Sequence, residues 1–161
     1  MPLVEISPLY AKPECAPLLA RWAYEEWYMD RSIEFEFILK AFLRRTRDDS
    51  LPLTLLCSSD ARPAGMVTLK RDDLWSRKDL NPWLSSLYVA PEYRNRGIGQ
   101  KLIEAVITAA RDRGCGRLFL FLGSARRDWL ERYYLRRGWG RVDTAIDNDS
   151  LPTVIMDYVI R

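Results

Sequence analysis

The residues Leu84-Ser85-Ser86-Leu87-Tyr88-Val89-Ala90-Pro91-Glu92-Tyr93-Arg94-Asn95-Arg96-Gly97-Ile98-Gly99 run from an apolar segment, through a proline turn, into an amphipathic stretch that stops at Gly114. Strand, basic glycine-bearing loop and helix, in that order, build an anion site from backbone. The first N–H groups of a helix have no intrahelical acceptor and carry the positive end of its dipole. Glycines remove the Cβ atoms that would hold a phosphate away, and Arg94 and Arg96 add charge and forked donors. The stretch reads as a diphosphate cradle.

Its helix repeats apolar residues at Ile98, Leu102, Ile103, Val106, Ile107 and Ala110, one buried face closed by the cap Gly114. Upstream, Leu3 to Pro8 alternates as a first strand, and Pro13-Glu14 opens a helix expected to run to about Met29, with Leu18, Leu19, Trp22, Ala23 and Trp27 inward. Glu25, Glu26 and Asp30 sit at its C-terminal end, where the dipole disfavours negative charge. They are a solvated face or an acidic lip for a cationic substrate. A second helix is expected over Ile33 to Arg47, its arginines complementing the dipole. Leu53 to Ser58 and Ala64 to Lys70 read as a hairpin of strands. Arg71 to Pro82 is then a long polar connection holding Asp72, Asp73, Trp75 and Asp79, and long loops in small domains are often functional.

Downstream, Arg117 to Leu122 is an almost continuous apolar run suited to a central strand. A helix is expected from about Arg126 to Arg137, with Gly138 ending it, followed by strands Arg141 to Ile146 and Thr153 to Ile160 around the turn Asp147-Asn148-Asp149-Ser150. The element order is β-α-α-β-β-β-α-β-α-β-β, an α/β (α+β) fold with a mixed sheet, expected to be a single domain over residues 1–161.

Composition narrows the chemistry. A net charge of +3 fits an anionic cofactor without demanding nucleic acid, and the arginines of the 126–137 helix alternate with Asp128 and Glu131 as a solvated face does. The chain has no histidine, and its three cysteines (Cys15, Cys57, Cys115) are far apart, so a structural zinc site and any His-based triad are excluded and no metal is expected. No apolar run approaches the roughly 20 residues of a membrane helix and no signal pattern opens the chain, so no membrane partner and a cytoplasmic location are expected. The loop lacks the Gly-Lys-Ser/Thr ending of a Walker motif and follows the fourth strand, not the first, which excludes a dinucleotide fold.

Arg94-x-x-Gly97-x-Gly99, placed between a strand and a helix, matches the [Gln/Arg]-x-x-Gly-x-[Gly/Ala] acyl-CoA motif of the GNAT superfamily of acyl-CoA-dependent N-acyltransferases. Tyr134-Leu135-Arg136-Arg137-Gly138-Trp139 resembles that family's Tyr-x-x-x-Gly-Phe element, and the element order agrees over nearly the whole chain. The resemblance implies a mostly antiparallel GNAT-like sheet and an N-acetyltransferase using acetyl-CoA, which passes an acetyl group to a primary amine by direct attack in a ternary complex. A binding module that holds acyl-CoA without turning it over is the alternative. It further implies that Arg94, Asn95, Arg96, Gly97, Ile98, Gly99, Gln100 and Lys101 form the cofactor loop, with backbone N–H groups from Arg96 to Gln100 on the diphosphate. Arg94's side chain supports the loop or assists the phosphates. Leu87, Tyr88 and Val89 are implied to pair with the pantetheine arm through backbone, the Val89 N–H polarising the thioester carbonyl. Tyr134 is the implied acid for the leaving thiolate, with Tyr133 as its competitor. Asp72 and Asp73 are candidates for a general base or for binding the acceptor's cation, beside Glu92 and a water chain with no dedicated residue. The family often has Asn where this chain has Arg127, which reaches a phosphate or solvent. Dimerisation through the last strands is common in the superfamily, so a homodimer stays open.

Overall fold

The computed structural model describes residues 1–161. Its elements are β1 (Val4–Pro8), α1 (Ala16–Ala23), α2 (Phe35–Arg44), β2 (Leu53–Ser59), β3 (Arg62–Lys70), β4 (Trp83–Val89), α3 (Ile98–Asp112), β5 (Arg117–Phe121), α4 (Arg127–Leu135), β6 (Gly140–Ile146) and β7 (Pro152–Val159). The expected element order is the one found. The strands form a seven-stranded sheet in the order β1-β2-β3-β4-β5-β7-β6. The β1–β2, β5–β7 and β6–β7 pairs are antiparallel, while β4 and β5 pair in parallel with Trp83 opposite Phe119. The chain separates into two compact units, residues 1–68 with 86–106 and residues 69–85 with 107–161, whose boundaries cut through β3, β4 and α3. No helix is long and apolar enough to cross a membrane.

In the first unit, α1 buries Ala16, Leu19, Ala20 and Ala23, the i, i+3, i+4, i+7 stripe, against Leu9, Ile38, Phe42, Leu56 and Met66. Small residues on that stripe let α2 approach closely. Every residue of β2 is buried, in keeping with its mostly apolar run Leu53 to Cys57. The polar exceptions there are satisfied: Thr54 and Thr68 share a 2.8 Å hydroxyl hydrogen bond, and Arg45 donates through Nη1 to both hydroxyls at 3.3 and 3.5 Å. Arg45 therefore does more than complement a helix dipole. It turns inward, its guanidinium 4.4 Å from the Phe42 ring centroid.

The helix expected over Pro13 to Met29 is built in three pieces: a 3-10 turn at Pro13–Cys15, α1, and a π-helical turn at Tyr24–Tyr28. The π turn has a consequence for packing. At 100° per residue an α-helix would hold Trp22 and Trp27 about 140° apart. The wider turn brings both rings to Tyr88, at 5.3 and 6.3 Å between centroids.

The second unit packs Leu74, Trp83, Phe119 and Ile155 together, with the Trp83 indole N–H donating to the Leu80 carbonyl at 2.8 Å. Residues 71–82, expected as a polar connection, contain a 3-10 turn at Trp75–Arg77 and are tied to the β6–β7 hairpin. Asn148 grips the loop at two points: its Nδ2 donates to the Asp73 carbonyl (3.0 Å) and its Oδ1 accepts the Trp75 N–H (3.1 Å). Ser76 donates to the Ile146 carbonyl, and Arg77 pairs with Asp143 and Asp79. An Asn148→Ala variant is expected to lose about 1 kcal/mol or more, because two backbone groups lose their partner. Thermal unfolding should show this as a Tm lower by about 3 °C, with faster hydrogen exchange at the Trp75 amide. An unchanged exchange rate there would contradict the role given to Asn148.

Candidate active site

The turn Pro91–Tyr93 leaves β4 and closes on itself, the Tyr93 N–H reaching the Ala90 carbonyl at 2.9 Å. Two positive φ angles then follow, Asn95 at +62° and Gly97 at +80°. Asparagine tolerates that region and glycine is at home in it. The first helical hydrogen bond runs from the Lys101 N–H to the Gly97 carbonyl at 3.1 Å. The N–H groups of Ile98, Gly99 and Gln100 therefore begin the helix with no acceptor inside it. A Cβ built on Gly97 would meet no atom of the protein within 4 Å. The space before the loop is open, and a cradle of inward N–H groups in this conformation suits an anion.

Arg94 is placed as a support. Its Nε donates to the Val89 carbonyl at 2.8 Å and its guanidinium lies 5.6 Å from the Tyr88 ring centroid, so it pins the end of β4 to the loop. Arg96 is exposed and rests over Tyr93 at 5.7 Å. Gln100 bonds Glu104 along the helix at 3.0 Å, and Lys101 is exposed.

Two features of β4 escaped the sequence reading. Ser86 has φ +54°, a left-handed residue in mid-strand, which locally breaks the pleat and re-aims the chain that follows. Gly65 on β3 lies so close that a Cβ there would sit 2.7 Å from the Tyr88 carbonyl oxygen. A lone glycine within a strand is the signal that could have found the second; nothing in a serine announces the first. The Ala90 N–H bonds the Ala64 carbonyl of β3 at 2.8 Å. By strand alternation the Val89 N–H faces away from β3, as does the Val89 carbonyl that takes Arg94.

Tyr88 stands between Trp22, Trp27 and Arg94. Burial pushes its phenol pKa up, Arg94 pulls it down, and Glu26, Glu25 and Glu92 push it further up. The acidic residues of the π turn and of the Pro91–Tyr93 turn therefore act on one aromatic site in the first unit.

The remaining candidates lie in the second unit. Tyr134 on α4 is 6% exposed and meets Tyr133 and Trp139 edge-on at 5.3 and 5.5 Å. Burial drives its phenol well above the ordinary range, Tyr133 adds to that and Arg137 opposes it. Tyr134 is neutral at any physiological pH, and burial makes it a weaker acid than an exposed phenol. Tyr133 is stacked between Trp129 (5.4 Å) and the Arg137 guanidinium (3.5 Å). The Asp73 carboxylate pairs with Lys70 at 3.4 Å, and its backbone serves the Asn148 grip, so Asp73 has structural duties; Asp72 is exposed. Arg127 donates through Nη2 to the Pro152 carbonyl of β7. No group of three or more cysteine, aspartate or glutamate side chains is arranged to hold a metal ion.

The model of the acetyltransferase (GNAT) family matches residues 16–139, from the start of α1 through Trp139, including both motif stretches. The chain belongs to the GNAT family. Among GNAT relatives, thialysine N-epsilon-acetyltransferase of Bos taurus is 46% identical over 55 residues, which are 34% of this chain and 30% of the bovine protein. A GNAT-family structure from Desulfovibrio desulfuricans superposes with a TM-score of 0.77 at 17% identity, covering 99% of this chain and 100% of that one. A candidate acetyltransferase from Salmonella typhimurium, solved with its cofactor acetyl-CoA, gives a TM-score of 0.69 at 16% identity over 98% of this chain and 94% of the other. At these identities the two structures establish the GNAT fold.

Proposed function

We infer that this GNAT protein transfers an acetyl group from acetyl-CoA to a primary amine by direct attack in a ternary complex. The observation that carries the reading is the cradle at the start of α3, open before Gly97 and set directly after a strand end whose Val89 N–H faces away from β3. A diphosphate fits it, because the donors are backbone N–H groups on the positive end of a helix and no Cβ intrudes.

Acetyl-CoA supplies the activated thioester. The loop Arg94 to Lys101 holds the diphosphate through its N–H groups, with Arg96 adding charge and Arg94 keeping the loop attached to β4. Leu87, Tyr88 and Val89 present backbone to the pantetheine arm. The Val89 N–H polarises the carbonyl under attack. Tyr134 gives its proton to the departing sulfur. The acceptor must arrive unprotonated, which for a lysine-type amine with pKa about 10.4 favours mildly alkaline conditions. The acceptor is a small-molecule, peptide or protein amine. Glu25, Glu26 and Glu92 around Tyr88 support a cationic one, in keeping with a relative named for acetylating an ε-amine.

The test is thiol release from acetyl-CoA with a panel of amines, with mass spectrometry of the amines. Acceptor-dependent release matched by acetylated amine is expected. Tight acetyl-CoA binding with no release for any amine would overturn the assignment in favour of a binding module.

A further inference from the structure

A second basic site lies wholly within the second unit. A cavity of about 550 Å³ is lined by Arg111, Arg137, Gly138, Asp157, Tyr158 and Arg161, among others. Ligand pockets commonly span about 300–1,000 Å³. Three arginines and one aspartate line it, and the Asp157 carboxylate is already matched. Asp157 Oδ2 accepts Arg117 Nε at 2.8 Å and Nη2 at 2.7 Å. Arg117 lies outside the lining, so the cavity keeps an excess of positive charge.

Two of the three arginines are held in place. Arg111 donates through Nε to the Arg161 main-chain oxygen at 3.2 Å. Arg137 is anchored by Nη1 to the Tyr133 carbonyl at 2.9 Å and stacked on the Tyr133 ring. Cations at the ends of α3 and α4 also complement the helix dipoles. That accounts for Arg111 and Arg137 one at a time, but not for Arg161, which is on no helix, nor for their convergence on one cavity.

We propose that this cavity binds a small polyanion, a phosphate monoester or a di- or tricarboxylate, independently of acetyl-CoA. No residue of the loop Arg94 to Lys101 lines the cavity, so the two sites share no side chain.

The experiment is calorimetric titration of the protein saturated with CoA, which occupies the cradle, using inorganic phosphate and citrate as probes at low and at moderate salt. One saturable site for at least one probe is expected, weakening as salt rises. Binding of phosphate alone assigns the phosphate class, and of citrate alone the polycarboxylate class. The Arg111→Gln/Arg161→Gln double variant should bind the probe at least about tenfold more weakly, since each removed guanidinium takes a charge-assisted contact with it, while its CoA affinity, the control for folding, stays unchanged. Arg161→Gln alone, which disturbs no helix, should show an intermediate loss and serves if the double variant misfolds. No saturable binding of either probe to the CoA-loaded protein, or equal binding by these variants, overturns the proposal without touching the acetyltransferase assignment.

Discussion

Tyr134→Phe is expected to lower kcat by about 10²-fold or more, the usual contribution of a positioned general acid, with the acetyl-CoA Kd within about twofold of the parent. The ring stays in place between Tyr133 and Trp139 and only the hydroxyl is lost. The same variant carries a pH signature. Burial raises the Tyr134 phenol above the ordinary value of about 10. The folded state therefore holds the proton where the unfolded state has released it. Its contribution to stability is complete below about pH 10 and is lost as the pH rises further, by up to roughly 1.4 kcal/mol per pH unit for one group. Chemical denaturation from pH 8 upward should show the parent losing more stability than Tyr134→Phe. Thiol-release kinetics with a saturating amine decide the catalytic part, and a variant with full turnover would move the acid role to Tyr133.

Gly65→Val is expected to be the most damaging small substitution near the cradle. The first atom added would sit 2.7 Å from the Tyr88 carbonyl oxygen, with Leu102 Cδ1 at 3.1 Å and Ile98 Cγ2 at 3.4 Å. The nearest of these is backbone and cannot rotate away. β3 and β4 must separate, and the displaced segment carries Val89 at one end and the start of α3 nearby. Overpacking of this kind costs about 1–3 kcal/mol, a Tm lower by several degrees, roughly 3–10 °C for a chain of this size. Acetyl-CoA affinity should fall about tenfold as well, because a misplaced cradle loses more than one of its hydrogen bonds. A differential-scanning trace and a binding isotherm test both parts. A variant with parental Tm and parental affinity would show that this approach of β3 to β4 is not needed.

The element order and the cradle could be read from the amino-acid sequence because both are local. Apolar spacing along Ile98 to Ala110 encodes a helix face within one segment, the mostly apolar run of Leu53 to Ser58 encodes a strand buried on both faces, and Arg94-x-x-Gly97-x-Gly99 is contiguous. The anion site proposed for it depends on helix-terminal N–H groups that any such turn exposes. Tertiary structure decided what needed a distant partner. Arg94 could have faced a phosphate or the loop until the Val89 carbonyl was placed beside it. Arg127 went to a β7 carbonyl 25 residues on, and Asp73 to Lys70 and the Asn148 grip. The π turn that gathers Trp22 and Trp27 on Tyr88, and the left-handed Ser86, break the period that sequence patterns rely on. Periodicity reports which face of a segment is buried. It carries no record of which side chain, tens of residues away, will meet that face, and the candidate catalytic groups depend on such meetings.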